Sequence, residues 1–417
     1  MTKLKRSLRP LLAALGLTLL VPAQAATTLT VASFPNFDEA VKVALPEWKK
    51  KFPDVEIKLV SLAFADHHTA MTTALATGTN LPDVMAVEIS YIGKFSESGG
   101  LEDLGAAPYN GLQYQKQFAR FTYPQAMSGT GKLAAVPADI GPGALFYRKD
   151  ILDKAGVTEA ALTQSWESHI EAGKKVKAAT GAYLLASAVD IKDIYIRSSL
   201  KDGEGIYFDK AGKVLVDSPR FVKGFELARA ARQAGIDAKI TAWSNEWGEG
   251  FKRGQIATQM MGAWLGGHLA TWLAPDTKGN WRAAQLPGGA WASWGGSFYA
   301  IPKKAANKQL AWEFIKFMTL DKDQQLRAFR GLDAFPALVT AQDDPFVDQP
   351  IPFLGGQKAR QLWKEAASKI PATAVSRHDA TANDIVNAEL TNVLEKNKDI
   401  KTALADAKKQ IERRVRR

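Results

Sequence analysis

The sequence predicts an α/β protein of two domains, built on a mainly parallel sheet with helices on both faces. A chain of 417 residues is too long for one ordinary hydrophobic core, so two domains are expected. With 46% hydrophobic and 23% charged residues, the composition is that of a globular protein. Strand and helix patterns alternate near the start of the chain, which is typical of parallel strands joined by helices.

The alternation begins after residue 26. Strands are expected at residues 29–34, 55–62 and 84–88, with helices at 37–52 and 67–77. Pro46 interrupts the first helical pattern, so a kink or two short helices are expected there, whereas Gly78 ends the second helix. Open α/β sheets bind ligands at the carboxyl ends of their strands. The rim formed by those ends supplies four candidate ligand-binding residues, Asn36, Phe64, His67 and Glu88.

The middle of the chain contains a segment punctuated by proline and glycine, residues 131–143, which predicts a crossing between the domains. Residues 144–148 then have a strand pattern. Ser218-Pro219 predicts a helix start with a hydroxyl cap, and Asn307 predicts another capped helix. Apolar stripes over residues 383–412 predict the last helices.

The first 25 residues have the pattern of a secretory signal peptide. A basic region at residues 3–9 precedes an apolar run, residues 11–21, that is too short to span a bilayer. Ala23-Gln24-Ala25 predicts cleavage after Ala25. The chain has no cysteine, which excludes disulfides, thiol catalysis and the lipid-modified cysteine of a tethered bacterial protein. We therefore expect a freely diffusing periplasmic protein without a lipid anchor.

The net charge of +11 has few consequences for partners. Several cations lie at the end of the chain, in residues 413–417, and a basic tail is able to bind nucleic acid or anionic lipid. Here the tail follows an amphipathic helical pattern in a chain with an export signal. We interpret it as the solvated end of a helix and expect no nucleic-acid partner.

Tryptophans are concentrated between residues 240 and 302, where seven of the eleven lie. Glycine pairs near Trp264, Trp291 and Trp294 predict room beside an indole for a ligand, and the apolar face of an indole suits the C–H face of a sugar. Core packing is the alternative for these three. The ligand-binding candidates of this region are Trp243, Trp264, Trp291, Trp294, Gly295 and Gly296. By contrast, core positions are expected for Trp272, Trp281 and Trp312.

Most sequence signatures of enzymes are missing. There is no phosphate-binding Gly-Lys-Ser/Thr loop, no Gly-x-Ser-x-Gly elbow and no His-Glu-x-x-His zinc helix. His67-His68 predicts a surface or groove-lining pair and not a metal site, because adjacent helical residues point apart. We therefore assign no catalytic residue, no metal ligand and no cofactor.

Four polar residues are suited to binding hydroxyl groups. Asp139 and Glu88 are able to accept hydrogen bonds from vicinal hydroxyls, and Arg377 and His378 are able to donate them. Each residue alone has an ordinary interpretation as a turn cap, a strand end or a surface pair. Together with the tryptophans they favour a carbohydrate-binding groove, because a ligand without hydroxyls would leave these groups unpaired.

The sequence resembles the extracellular solute-binding proteins of carbohydrate ABC importers, the family related to maltose-binding protein. The resemblance covers nearly all of the predicted mature chain and rests on the order and spacing of several segments. They are residues 80–84, 131–137 with 145–150, 254–257 with 261–264, 295–303 and 311–314. Arg148 departs from the pattern, since the family usually has asparagine there.

This resemblance implies the two-lobe α/β fold of type II periplasmic-binding proteins, with three crossovers between the lobes. It implies an N-terminal lobe of residues 26–138 and 294–335 and a C-terminal lobe of residues 139–293 and 336–417. It places Trp264 where the family stacks an indole on a sugar, and it places the segments 139–141, including Gly141, and 294–297 along the cleft. Residues 377–378 fall near a cleft segment that often carries an aromatic residue, which this chain lacks.

The resulting hypothesis is a non-enzymatic periplasmic receptor for a mono- or oligosaccharide. It would close about a hinge and deliver the ligand to the transmembrane subunits of an ABC permease, on which we expect a monomer to dock transiently. Three alternatives stay open: a receptor for an anionic solute such as glycerol 3-phosphate or a sugar phosphate, a secreted carbohydrate-active enzyme that uses Asp139 and Glu88, and a sensory receptor for a signalling partner.

Overall fold

The structure, a computed structural model, describes residues 26–416, so the signal peptide expected at residues 1–25 lies outside it. The strands are β1 (Thr27–Ser33), β2 (Val55–Ser61), β3 (Val84–Glu88), β4 (Val136–Arg148), β5 (Thr258–Gly262), β6 (Trp281–Ala284) and β7 (Ser293–Ala300). They form a seven-stranded sheet in the order β2-β1-β3-β7-β4-β5, and β6 also pairs with β4.

The sheet is mixed, and the prediction of a mainly parallel sheet was wrong. β1 is parallel to β2 and β3. β7 lies antiparallel between β3 and β4, and β4 is antiparallel to β5 and β6. Local strand and helix alternation predicted the first three strands correctly. It did not reveal that the long strand β4 and the distant strand β7 would pair in opposite directions.

Helices cover the sheet. Within residues 26–416, the α-helices are α1 (Phe37–Lys51), α2 (Phe64–Thr77), α3 (Ile89–Ser96), α4 (Thr122–Ala126), α5 (Lys149–Lys154), α6 (Glu159–Thr163), α7 (Trp166–Thr180), α8 (Ala188–Ser198), α9 (Pro219–Gln233), α10 (Asn245–Lys252), α11 (Leu265–His268), α12 (Lys308–Thr319), α13 (Lys322–Leu332), α14 (Val339–Gln342), α15 (Ala359–Lys369), α16 (Asp379–Lys396) and α17 (Ile400–Val415). A π-helical turn, Leu269–Leu273, follows α11.

Several local signals were interpreted correctly and others were not. Helix α1 continues through Pro46 as one element, so it is not divided into two helices. α9 begins at Pro219 and α12 follows Asn307, as expected, but neither Ser218 nor Asn307 caps its helix with its side chain. The Asn307 amide instead donates to the backbone oxygen of Thr28, 3.2 Å away. The Asn307 side chain therefore contacts β1 and does not cap α12.

Two clusters of buried apolar side chains form the core. The first includes residues of β1, β3, α1 and α12, and the second includes residues of α7, α8, α9, α16 and α17. Trp294 packs against both clusters. The start of β7 therefore lies where the two halves of the molecule meet.

Three segments lie side by side at this meeting point. Asp139 of β4 pairs with Ser297 of β7 on one side and with Pro336 on the other. The backbone N–H of Ile140 donates to the carbonyl oxygen of Phe335 at 2.9 Å. These segments position the candidate site. The lobe limits and the number of crossovers derived from the sequence stay predictions.

Candidate functional site

Two carboxylates lie on either side of one β7 residue. Glu88 at the end of β3 and Asp139 of β4 both pair with Ser297. An Asp139 carboxylate oxygen accepts a hydrogen bond from the Ser297 backbone N–H at 2.6 Å, and Glu88 accepts one from Ser90 N–H at 2.7 Å, which caps α3. The preceding Gly296 has φ of 126°, a conformation that favours glycine. Backbone donors thus fix the direction of both carboxylates.

A third carboxylate comes from α16. Gly93 of α3 packs so closely on the backbone of Ser376 that a Cβ atom at Gly93 would lie 2.6 Å from the Ser376 oxygen. Three residues later, Asp379 begins α16 and accepts a hydrogen bond from Ser376 N–H at 2.7 Å. The contact between α3 and α16 therefore brings Asp379 toward Glu88, which caps α3.

Arg197 at the end of α8 supplies the positive charge of this cluster. Its guanidinium carbon lies 5.1 Å from the centroid of the Trp294 ring, within the range of a cation–π contact. Its charge favours the ionised forms of Glu88 and Asp379 and so offsets part of the rise that burial causes in the pKa of each. We call Glu88, Asp139, Asp379 and Arg197 the charged cluster.

Burial opposes the ionisation of all three acids of the charged cluster. It raises the pKa of Glu88, and hydrogen bonds from Ser90 and the charge of Arg197 only partly offset this. Burial also raises the pKa of Asp139 to about 6 and that of Asp379 to about 7, against the hydrogen bonds from Ser297 and Ser376. Polar groups that are held in place and partly desolvated are typical of binding sites.

The Trp264 indole lies beside the charged cluster in a seat of glycines. Its Nε1–H donates to the backbone oxygen of Trp294 at 3.0 Å. A Cβ atom would lie 2.9 Å from Nε1 at Gly141, 2.3 Å at Gly262 and 2.8 Å at Gly295. The space beside these glycines was expected to hold a ligand, but the edge of the Trp264 indole occupies it. The glycines therefore allow β4, β5 and β7 to pack closely.

Trp243 and His268 extend the indole surface outward. The rings of Trp243 and Trp264 are stacked, with centroids 5.8 Å apart and an angle of 23° between their planes. Trp243 is 54% exposed and has φ of 72°, which is rare for a large side chain. His268 lies 5.4 Å from Trp264 and 5.9 Å from Trp243. Burial lowers the pKa of His268 to about 4, so this ring is neutral at pH 7. We call Trp243, Trp264 and His268 the aromatic shelf.

The three tryptophans that were expected in the core differ in their burial. Trp281 and Trp312 are buried, as predicted, but the prediction for Trp272 was wrong, since this residue is 48% exposed. Its indole N–H donates to Nδ1 of His268 at 3.3 Å. Leu269 and Leu273 of the same π-helical turn are buried, whereas Trp272 lies on its exposed side.

The candidates from the first rim are not all brought to the site. His67 is completely buried, and its Nε2 lies 2.8 Å from the Ala86 backbone oxygen, so it packs against β3, an interior strand of the sheet, and faces no groove. His68 is buried as well, and the expected surface or groove-lining pair is wrong because Phe34 covers both rings. Phe64 is 43% exposed, and Asn36 is exposed before α1 with φ of 72°.

The remaining candidates are Trp291, Arg377 and His378. Trp291 is half-buried just before β7. Arg377 is exposed and His378 is half-buried at the start of α16, where the His378 ring lies 6.1 Å from that of Phe208. The structure thus brings together Glu88, Asp139, Gly141, Trp243, Trp264, Trp294, Gly295 and Gly296. It adds Arg197, Asp379 and His268, which no motif in the sequence signalled.

Two further observations concern residues 26–416. In this part of the chain, no group of three or more His, Asp or Glu side chains is arranged to hold a metal ion. No helix among the described residues is sufficiently long and apolar to span a membrane.

Comparison with known sequences gives consistent matches. A family model described as bacterial extracellular solute-binding protein matches residues 32–325. A lactose-binding protein of Rhizobium radiobacter is 29% identical over 383 residues, which cover 88% of this chain and 88% of that protein. An arabinooligosaccharide-binding protein of Bacillus subtilis is 28% identical over 305 residues, which cover 70% of this chain and 69% of that protein.

Comparison with solved structures confirms the two-lobe α/β fold. An extracellular solute-binding protein of family 1 superimposes with a TM-score of 0.80 at 24% identity, covering 93% of this chain and 99% of that one. The galacto-N-biose-/lacto-N-biose I-binding protein of the Bifidobacterium longum ABC transporter, in complex with lacto-N-biose, gives a TM-score of 0.77 at 20% identity, with 93% and 96% covered. At these identities the matches establish the fold alone.

Proposed function

The chain belongs to the family of bacterial extracellular solute-binding proteins, and from this premise we propose that it binds a mono- or oligosaccharide between its lobes for an ABC importer. The ligand would lie against the aromatic shelf, with its hydroxyl groups toward the charged cluster. The names of its relatives support a carbohydrate, since those quoted above are a lactose-binding and an arabinooligosaccharide-binding protein.

The observation that carries this proposal is a stacked indole pair, formed by the exposed Trp243 and the half-buried Trp264, near three carboxylates that are held by backbone donors. Trp243 and Trp264 offer apolar ring faces, and Glu88, Asp139 and Asp379 offer hydrogen-bond acceptors. A sugar has both complementary features, an apolar C–H face and hydroxyl donors. A purely apolar ligand would leave the acceptors without partners, which is costly.

The mechanism that follows is closure of the two halves on the ligand. Glu88 and Asp139 belong to strands beside the first core cluster, whereas Arg197 and Asp379 lie on helices that pack in the second. A ligand that contacts both groups stabilises the state in which they are close, so its binding shifts the population toward that state. Hinge closure of periplasmic binding proteins is a known example of such a transition.

The cellular setting belongs to the same proposal. The chain would be exported by its first 25 residues, act as a monomer in the periplasm without a lipid anchor, and pass its ligand to permease subunits. It would have no catalytic activity. Incubation with oligosaccharides and analysis of the products tests the enzyme alternative, for which Glu88 and Asp139 would be the acids.

A thermal-shift screen is the direct test of saccharide binding. Lactose, maltose, arabinobiose and galactose are compared with glycerol 3-phosphate and glucose 6-phosphate. A ligand that binds only the native state, present at about 100 times its Kd, stabilises the folded protein by about 2.7 kcal/mol and so raises its Tm by several degrees. Stabilisation by the phosphates, with none by any sugar, would contradict the proposal in favour of an anionic solute.

A further inference from the structure

We propose that Arg197 is the principal hydrogen-bond donor to the ligand and that the carboxylates around it restrict the ligand to neutral saccharides. The proposal rests on the saccharide-binding function above and deepens it, because it names the charge class of the sugar. It also gives a role to a residue that the sequence did not mark.

The first argument is a gap between opposite charges. The Arg197 guanidinium lies over Trp294, three residues before Ser297, with which Glu88 and Asp139 both pair. Its charge offsets part of the rise that burial causes in the pKa of Glu88 and Asp379. Nevertheless, among residues 26–416, no carboxylate oxygen lies within the 4.0 Å of an ion pair from an Arg197 nitrogen. A guanidinium has five N–H donors in a planar fork and pairs readily with carboxylates. The donors of Arg197 are therefore not taken up by an ion pair with Glu88, Asp139 or Asp379, and hydroxyl groups of a ligand can accept hydrogen bonds from them.

The second argument is that Arg197 and the three carboxylates are each held in place by a separate contact within the protein. The Arg197 guanidinium rests on the face of Trp294, 5.1 Å from the ring centroid. Glu88, Asp139 and Asp379 are each fixed by a backbone N–H, at 2.7, 2.6 and 2.7 Å. Because each of these side chains is already held by its own neighbours, less side-chain ordering entropy is lost on binding.

The third argument is the sign of the charged cluster. It contains three carboxylates and one guanidinium, so its net charge is negative once the acids are ionised. A uronate or a phosphate placed there would lie beside like charges, whereas uncharged hydroxyl groups would bind the donor and the acceptors together. Like-charge contacts and unpaired groups are the ordinary means of excluding a competing ligand. The positive net charge of the whole chain therefore does not predict the sign of the charge at the site.

Calorimetry with matched variants tests the proposal. Wild type, Arg197→Gln, Arg197→Lys and the control Arg253→Gln are titrated with lactose, maltose, arabinobiose, digalacturonate and glucose 6-phosphate. Arg253 is an exposed arginine directly after α10 that pairs with Glu249 of that helix, and the control removes the same group from the surface. Circular dichroism and Tm establish that each variant is folded.

The expected result is binding of at least one neutral sugar by wild type, with both acidic probes bound at least about tenfold more weakly. Arg197→Gln is expected to lower the affinity for the neutral sugar by about 10- to 100-fold, and Arg197→Lys by less, since lysine keeps the charge without the fork. Arg253→Gln is expected to bind as wild type does.

Three outcomes would overturn the inference in different ways. Equal affinity of Arg197→Gln and wild type removes Arg197 from the site. Tighter binding of digalacturonate or glucose 6-phosphate than of every neutral sugar refutes the neutral class while leaving a solute-binding protein. Wild type that binds none of the five probes refutes saccharide binding itself, and the inference with it. If Arg197→Gln does not fold, the result for Arg197→Lys and the wild-type ratio of neutral to acidic affinity decide.

Discussion

The indole nitrogen of Trp264 donates a hydrogen bond to the backbone oxygen of Trp294, 3.0 Å away. Trp264 follows β5 and Trp294 belongs to β7, so this bond links the segment after β5 to a strand that is not the neighbour of β5 in the sheet. The polar edge of the Trp264 indole is therefore satisfied by the protein and does not depend on a ligand. The ring is oriented before any sugar arrives, and its apolar surface is what remains for binding.

Replacement of Trp264 by alanine tests its role in binding. Loss of a ring-sized apolar contact of about 1.5–3 kcal/mol predicts an affinity for the bound sugar that is about 10- to 100-fold lower in calorimetry. Trp264→Phe keeps an apolar face but loses the bond to Trp294, so its affinity should lie between those of alanine and wild type. An alanine variant that is folded and binds with unchanged affinity would remove Trp264 from the site.

The close packing of glycines against the Trp264 indole predicts that a larger residue at Gly141 strongly lowers stability. In Gly141→Ala the new Cβ would lie 1.8 Å from the Trp294 oxygen, so strands must move apart, at a cost of roughly 1–3 kcal/mol in the free energy of unfolding. Gly331→Ala is the matched control, because a Cβ at Gly331 in α13 meets nothing within 4 Å. That variant should be as stable as wild type or more stable by roughly 0.5–1 kcal/mol. Denaturant unfolding measures both, and equal stability of the two variants would contradict this role of Gly141.

Two substitutions at Trp243 distinguish the effect of backbone strain on stability from the effect of the indole on ligand binding. Its φ of 72° disfavours any residue with a Cβ atom. Trp243→Gly and Trp243→Ala both remove the exposed indole and should weaken sugar binding equally. The glycine variant should nevertheless be more stable than the alanine variant by about 1 kcal/mol in urea unfolding, after allowance for the greater freedom of glycine in the unfolded chain. The reverse order of stability would show that the loop relaxes in solution.

Asp190 predicts a dependence of stability on pH. It is buried and accepts a hydrogen bond from Gln259 Nε2 at 3.1 Å. Burial raises its pKa from 3.8 to about 7, against that hydrogen bond. Between these values the folded chain holds a proton that the unfolded chain has lost, so the stability contributed by this group is complete below pH 3.8 and is lost as pH rises through about 7.

Asp190→Asn removes that titration. The difference in stability, variant minus wild type, should therefore grow in favour of the variant between pH 4 and pH 8. One pKa unit corresponds to about 1.4 kcal/mol, so the change should be on the order of a few kcal/mol. Tm measured across this range is the test, with the exposed Asp153→Asn as the control for loss of one surface charge. A difference that is constant with pH would show that Asp190 does not titrate in this window.

Much of the fold was accessible from local patterns. The strand expected at residues 29–34 is β1, Thr27–Ser33, and the helix expected at 67–77 is most of α2. These elements follow from side-chain periodicity and from Gly78, which has the left-handed conformation expected of a helix end. The direction of β4 and β7 did not follow, because strand pairing joins residues more than 150 positions apart.

Part of the candidate site was accessible from the sequence. Trp264, Trp294, Glu88 and Asp139 were chosen for their chemistry, and the structure brings them together. His67 has suitable chemistry as well, but it is buried with its Nε2 lying 2.8 Å from the backbone oxygen of Ala86. Residue type cannot distinguish the two cases, since burial depends on which face of α2 meets the sheet.

The sequence by itself determined the α/β class, the resemblance to solute-binding proteins and the presence of indoles and carboxylates suited to a sugar. These properties depend on residue type and on spacing along the chain. Tertiary structure alone decided that Arg197 lies over Trp294, that Glu88 and Asp139 meet at Ser297, and that Gly141 and Gly295 pack against an indole. Such contacts depend on distances between elements that are remote in sequence, and those distances are set only when the two core clusters pack.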